Sequence, residues 1–203
     1  DAIRAAHPLA VPDGVADSKL LTEHRREAIF DELAAWPAAW SVGESSNTEI
    51  DEWGITYALG IAALRALAKV EKALRLGACG RRAGAPARVA AILDGPYDYI
   101  TKALNTFDAP DVPVSADVTC KVKADRHCAT VSTAAVLAKV TRDRLMVSIA
   151  QGNPRYAPYE WVRNKGYGSQ AHREAIAALG PTPLHRVSWH LGRGRAADAV
   201  GAK

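Results

Sequence analysis

Lys123-Ala124-Asp125 sets one acid just ahead of an apolar, helix-like run from Thr130 to Met146, and that run carries Lys139, Arg142 and Arg144. A carboxylate at a helix start beside basic side chains suits a metal ion facing phosphate: the acid supplies a hard oxygen and the basic groups meet the anion. The competing reading is a plain helix cap, the commoner use of an acid at that position. A second carboxylate ends another expected element. Arg88 to Leu93 is a nearly continuous apolar run that stops at Asp94-Gly95, as expected of a buried central strand delivering a carboxylate at its tip. Asp-Gly is also a common turn pair. Asp143 is a third acid within reach, but Arg142 and Arg144 flank it and make an ion pair its better use.

The elements that must position these acids follow from periodicity and punctuation. Thr22 to Trp36 places Arg26, Ile29, Phe30, Leu33 and Ala34 at helical spacing, with Thr22 as cap and Pro37 as stop. Ala39 to Gly43 reads as short and extended, and Ser46 to Asp51 as a helix start with polar capping side chains. Trp53 to Leu76 follows as a long helix whose Arg65, Lys69, Lys72 and Arg75 form a solvated basic side. Gly77 to Arg88 reads as a loop, Tyr97 to Asp117 as an irregular insertion, and Val118 to Val122 as a short strand. A helix from Thr130 to about Ala150 is broken by Gln151-Gly-Asn-Pro154, and another spans Gln170 to Leu179, ended by Gly180 and Pro181. This alternation calls for an α/β domain with a mixed sheet.

Composition narrows the class without choosing a function. At 203 residues, 48% hydrophobic and 24% charged, the chain has the balance of one soluble globular domain able to bury a core. A net charge of +4 and a pI near 9.0 suit an anionic partner such as nucleic acid. Cys79, Cys120 and Cys128 form no C-x-x-C pair and leave an odd number, which argues against a disulfide framework and for a reducing cytoplasm. His127-Cys128 has no second pair at zinc spacing, so a zinc site is rejected. The opening residues lack a signal peptide's basic flank and apolar run, and no stretch reaches the roughly 18 apolar residues of a membrane span. The chain does not begin with Met, so the natural amino terminus is expected upstream.

Five further segments, in this order, carry a resemblance. Asp17-Ser18-Lys19-Leu20, Ile50-Asp51, Leu93-Asp94-Gly95, Asn164-Lys165-Gly166-Tyr167-Gly168-Ser169 with His172, and Gly180-Pro-Thr-Pro-Leu-His-Arg186 resemble ribonuclease HII from about Val15 to Leu191. The resemblance implies a ribonuclease H-like α/β fold: a mixed sheet flanked by helices, with a small helical C-terminal part. It divides the chain into a catalytic core over 1–150 and a substrate-binding part over 151–203. The implied activity is hydrolysis of the RNA strand of RNA–DNA hybrids, and nicking beside ribonucleotides embedded in duplex DNA, by a cytoplasmic monomer using Mn²⁺ or Mg²⁺.

By the same resemblance Asp94 and Asp125 are the metal-binding catalytic acids. Two cations about 4 Å apart stabilise charge on the attacking and leaving oxygens of a phosphodiester. Ser18 and Lys19 are expected on the backbone near the cut. Tyr167 is expected against the sugar at the ribonucleotide junction, while Lys165, His172, His185 and Arg186 serve phosphate or scaffold. Two departures stand out. The family's opening Asp-Glu pair, followed shortly by Gly-Arg-Gly, is absent from these residues, so a core without its first central strand is expected, inactive by itself. Ala135 replaces a usual Ser four residues before Lys139. Other readings remain open: an inactive hybrid-binding remnant, another nuclease or transposase of the broad fold, and a structural protein with a basic face.

Overall fold

A computed structural model describes residues 10–76, 87–106 and 108–189. Most of the expected Gly77 to Arg88 loop, with Cys79, lies outside the described residues, as does the end of the resemblance beyond Trp189. Two compact units form from the described residues. One takes those of Asp1–Glu44 and Leu59–Thr141, the other those of Ser45–Ala58 and Arg142–Lys203.

Capping sets the first helices. Thr22 is extended at φ −65°, ψ 160°, and its hydroxyl accepts from the Arg25 N–H at 3.1 Å, satisfying a donor the helix leaves orphaned. The single helix expected here is instead two, α1 (Glu23–Ala28) and α2 (Phe30–Ala35), parted at Ile29 with φ −98°, ψ −2°. Both helices serve one core, since Ile29, Phe30 and Leu33 all enter one cluster with Val136, Leu137 and Val140. Truncating fully buried Leu33 to Ala would cost about 2–5 kcal/mol.

Ser46 opens α3 (Asn47–Trp53) with a reciprocal capping box: its hydroxyl accepts from the Glu49 N–H while the Glu49 carboxylate accepts from the Ser46 N–H. Gly54, at φ 82°, ends α3, so the long helix expected from Trp53 starts instead as α4 (Ile55–Ala73). The segment from Ala39 to Gly43 joins no strand ladder. Its place is taken by contacts to α4: Arg65 donates to the Glu44 carbonyl at 2.7 Å and Lys69 to the Val42 carbonyl at 3.2 Å. Part of the expected solvated basic side thus pins this segment. Gly43 is required there, because a Cβ would lie 1.8 Å from the Ala62 carbonyl oxygen.

The sheet of the described residues is a parallel pair, β1 (Val89–Asp94) and β2 (Ala116–Lys121), with Asp94 opposite Lys121. A parallel pair needs a crossover, and α5 (Ile100–Leu104) lies in it, where an irregular insertion was expected. The buried central strand expected for β1 is corrected. Half-buried Val89, Ala91 and Leu93 alternate with exposed Ala90, Ile92 and Asp94, the pattern of a strand with one covered face. Glu71 of α4 holds the approach to β2, its carboxylate accepting from the Val114 N–H at 2.8 Å.

Glu71 is 1% exposed, and burial pushes its carboxyl above the ordinary value of 4.5. A raised folded pKa gives stability that is complete below the unfolded value and lost as pH rises through the folded one. The melting temperature of Glu71→Gln should therefore gain on that of the unsubstituted protein as pH rises from 4.5. Thermal melts across that range check this; a constant difference would remove Glu71 from the account.

The longest helix, α6 (Ala129–Gly152), outlasts the break expected at Gln151. In the second unit Ala150 packs with Tyr159, Trp161 and Ile176. Trp161 lies in the short α7 (Trp161–Asn164) and Ile176 in α8 (Gln170–Leu179), which starts at a Ser169 cap and ends at Gly180 with φ 80°. The last of these boundaries matches the sequence reading.

Candidate active site

The ends of the paired strands bring the two predicted acids to one place. Beyond β2 the chain turns through Lys123, left-handed at φ 57°, into a 3-10 turn over Ala124–Arg126. The Ala124 N–H donates to the Asp94 carboxylate at 2.8 Å, so the tip of β1 is tied to the backbone beside Asp125. Asp125 is therefore not the cap of α6 but a turn residue, 8% exposed. Its carbonyl accepts from the buried Ser132 hydroxyl, one turn into α6.

A third carboxylate joins them. Asp17 is 5% exposed and accepts from the Lys19 N–H at 2.9 Å, with Arg126 Nε 3.5 Å from its other oxygen. The Lys19 N–H and Arg126 hold Asp17 below its ordinary range. Asp125 moves the opposite way, raised by burial and by the charges of Asp94 and Asp17. Opposed shifts in neighbouring carboxylates are how a site keeps one ionised and primes another for a proton or a cation. A cleft of about 390 Å³ opens here, lined by Val15, Asp17, Asp125, Arg126, Cys128 and Ser132 among others.

Asp94 and Asp125 fit a divalent cation by chemistry: hard oxygens, with a mutual repulsion that a cation relieves. They supply only part of a coordination shell. Such ions take six or more oxygens, and among the described residues no three His, Cys, Asp or Glu side chains are grouped to hold one. That holds for His127 and Cys128 too. Cys128 instead faces the Thr130 hydroxyl at 3.1 Å.

Sequence reasoning gave roles to Ser18 and Lys19 and passed over Asp17, which opens the same motif. Ser18 is half-buried and offers its carbonyl to Arg26 at 2.9 Å, whereas the Lys19 side chain is exposed. Ser132 carried no signal, since a helical Ser is commonplace. Its hydroxyl serves the Asp125 carbonyl and, at 3.2 Å, that of Cys128. Ser132→Ala should cost about 1 kcal/mol, a melting-temperature drop of roughly 2–4 °C. An unchanged melt would show that the hydroxyl is dispensable to the turn.

The second unit holds the remaining candidates. Lys165 and Gly166 are left-handed at φ 51° and 79°, and they bend the loop so that the Tyr167 ring stands 56% exposed with the Arg142 guanidinium 5.0 Å from its centroid. Arg142 also donates to the Lys165 carbonyl and pairs with buried Asp143 at 3.3 Å, the ion pair expected from sequence. The Lys165 ammonium is turned inward onto the Val162 carbonyl at 2.5 Å. Arg186 lies 4.7 Å from the Trp189 ring centroid. The Val187 and Ser188 N–H groups both donate to Asp51, so Asp51 anchors this segment. Buried His172 and His185 face one another, which makes them scaffold.

A family model described as ribonuclease HII matches residues 11–191. The chain belongs to the ribonuclease HII family. Among its relatives, a ribonuclease HII of Streptomyces griseus subsp. griseus is 37% identical over 179 residues, which are 88% of this chain and 64% of the relative. The ribonuclease HII of Roseobacter denitrificans is likewise 37% identical over 179 residues, 88% of this chain and 75% of that one. The crystal structure of ribonuclease H2 from Pyrococcus horikoshii OT3 superposes with a TM-score of 0.59 at 24% identity, covering 89% of this chain and 79% of the other. That likeness establishes a ribonuclease H2-like α/β fold. Within the ribonuclease HII frame, the strand-end pair of acids and the Asp17 motif occupy one unit, and the Tyr167 loop the other.

Proposed function

We propose that this ribonuclease HII chain is part of an endonuclease that hydrolyses the RNA strand of RNA–DNA hybrids and nicks beside ribonucleotides embedded in duplex DNA. The observation that supports the reading is the bond from the Ala124 N–H to Asp94, which ties the tip of β1 to the turn that carries Asp125. Asp94 and Asp125 would hold Mg²⁺ or Mn²⁺. When bound, the metal supplies Lewis-acid stabilisation of the phosphodiester oxygens and a water of lowered pKa.

The chain's own residues do the rest. Asp17, kept ionised by the Lys19 N–H and Arg126, adds negative charge beside Asp125 and strengthens the pull on a cation. Exposed Lys19 and half-buried Ser18 approach the phosphate backbone, and Arg186 is a further phosphate contact. Backbone contacts of this kind position the substrate without reading it. Tyr167 reads the sugar, where the 2′-hydroxyl separates RNA from DNA. Lys165, its ammonium spent on the Val162 carbonyl, supports that loop. In this division catalysis belongs to residues 1–150 and substrate binding to the helical part over 151–203.

The reading includes a cytoplasmic monomer acting in DNA replication and repair, for which free Cys120 and Cys128 give support. Among the described residues no helix is long and apolar enough to cross a membrane. Two carboxylates are too few for two cations, so the 203-residue polypeptide alone should be inactive and poorly folded. The test is cleavage by the full-length protein of a hybrid duplex and of DNA carrying one ribonucleotide, with Mg²⁺, Mn²⁺ or chelator. Metal-dependent cuts at the ribonucleotide support the reading. Binding without cleavage would favour an inactive remnant, and cleavage indifferent to the ribonucleotide another nuclease.

A further inference from the structure

Under the Tyr167 loop lies a chain of hydrogen bonds whose proton positions are fixed by groups that can only donate. The Thr182 N–H donates to His185 Nδ1 at 2.9 Å, so the proton of neutral His185 is on Nε2. That atom is 3.0 Å from His172 Nε2, which also takes the indole N–H of Trp161 at 3.0 Å. An indole nitrogen is a donor only. His172 Nε2 is therefore an acceptor, its proton is on Nδ1, and Nδ1 lies 2.9 Å from the Tyr167 carbonyl. The chain runs from Thr182 through both imidazoles to Tyr167.

The arrangement works only while both rings are neutral. A proton on His185 Nδ1 would face the Thr182 N–H and would have to displace it to reach the Thr182 hydroxyl, also 2.9 Å away, and one on His172 Nε2 would face two donors. The rings are 4% and 7% exposed, and among the described residues no carboxylate hydrogen-bonds or ion-pairs with either. Tyr159, packed on both, spends its hydroxyl on the Gly180 carbonyl. Arg173 donates to the Gly168 carbonyl, Glu174 accepts from Gln170, and Arg186 lies over Trp189. Burial and the neighbouring His172 both lower the His185 pKa from 6.5. A lowered folded pKa gives stability that is complete above the unfolded value and lost as pH falls through the folded one.

We propose that His172 and His185 are positioning residues for Tyr167, a neutral pair that fixes its backbone for ribonucleotide discrimination and releases it on protonation. The inference rests on the reading of Tyr167 as the sugar contact. An exposed ring on a loop bent by two left-handed residues keeps its aim only if its backbone is held, and the His172 bond is one of the restraints that hold it.

The readout is the ratio of cleavage at a single ribonucleotide in duplex DNA to cleavage of an all-RNA hybrid strand, which cancels the pH dependence common to both. In the full-length protein the ratio should fall about fivefold between about pH 8 and pH 5, the worth of one hydrogen bond. His185→Gln keeps a donor toward His172 and removes one of the two rings that can gain a proton, so its ratio should fall by clearly less than that of the unsubstituted protein. A flat ratio in the unsubstituted protein, or an equal fall in His185→Gln, would overturn the inference. Should His185→Gln not fold, ¹⁵N spectra of the unsubstituted protein decide. Neutral rings with the proton on Nδ1 in His172 and on Nε2 in His185 support the inference, and any other tautomer pair overturns it. Tyr167→Ala separates the two claims: an unchanged ratio above neutral pH sinks the Tyr167 reading, whereas a collapsed ratio with no pH dependence in the unsubstituted protein sinks only the histidine pair.

Discussion

Asp125→Asn and Asp94→Asn, each in the full-length protein, are expected to lower hybrid cleavage by about a thousandfold while hybrid binding stays near normal. A divalent cation contributes several kcal/mol of transition-state charge stabilisation, and about 4 kcal/mol is a factor of roughly 10³ in rate. Binding behaves differently because removing a negative ligand also removes repulsion toward phosphate. Asp125 has a second signature. Its pKa is raised by burial and by Asp94 and Asp17, so its ionised form opposes folding above the unfolded pKa, and stability is lost as pH rises through the folded one. Asp125→Asn should thus melt higher than the unsubstituted protein in chelator at neutral pH. Single-turnover cleavage with Mg²⁺ or Mn²⁺, run beside those melts, is the measurement; near-normal cleavage by either variant would sink the assignment.

Tyr167→Ala should reduce cutting at a single embedded ribonucleotide by roughly tenfold to a hundredfold, the loss of one aromatic contact worth about 1–3 kcal/mol. Metal affinity should be unmoved, because Tyr167 is assigned to the sugar. The loop survives the change on its own bonds, since the Tyr167 N–H donates to the Asn164 carbonyl at 2.8 Å and the Arg142 bond goes to the Lys165 backbone. Calorimetry of metal binding and the cleavage ratio are read together. If metal affinity collapsed while junction preference survived, Tyr167 would belong to the cation site.

Much of the frame was legible in the chain because local chemistry dictates it. Thr22, Ser46 and Ser169 each cap a helix through a side-chain oxygen that accepts from the backbone N–H three residues on, and Gly180 ends one with a positive φ. The acids were legible for the same reason: Asp94 closes an apolar strand, and Asp125 follows a short alternating one. Other features turn on contacts between distant residues, and no local pattern states them. The core that Ile29 joins is completed by Val136, Leu137 and Val140, more than 100 residues away. The exposed alternation in β1 depends on which face is covered, whereas apolar content is silent on that. Asp17 became part of the acid cluster only once folding set it beside Asp125 and Arg126, because electrostatic shifts arise from distance and burial. Lys165 is another case. Its position in a family motif offered phosphate or scaffold as its use, and its ammonium meets the Val162 carbonyl in a contact no local pattern states. The caps, most of the helices and the strands that end near Asp94 and Asp125 are legible locally, as properties of neighbouring residues. Which carboxylates share a field, and which groups surround the imidazole nitrogens, is set by the fold, because each depends on partners brought close from distant positions.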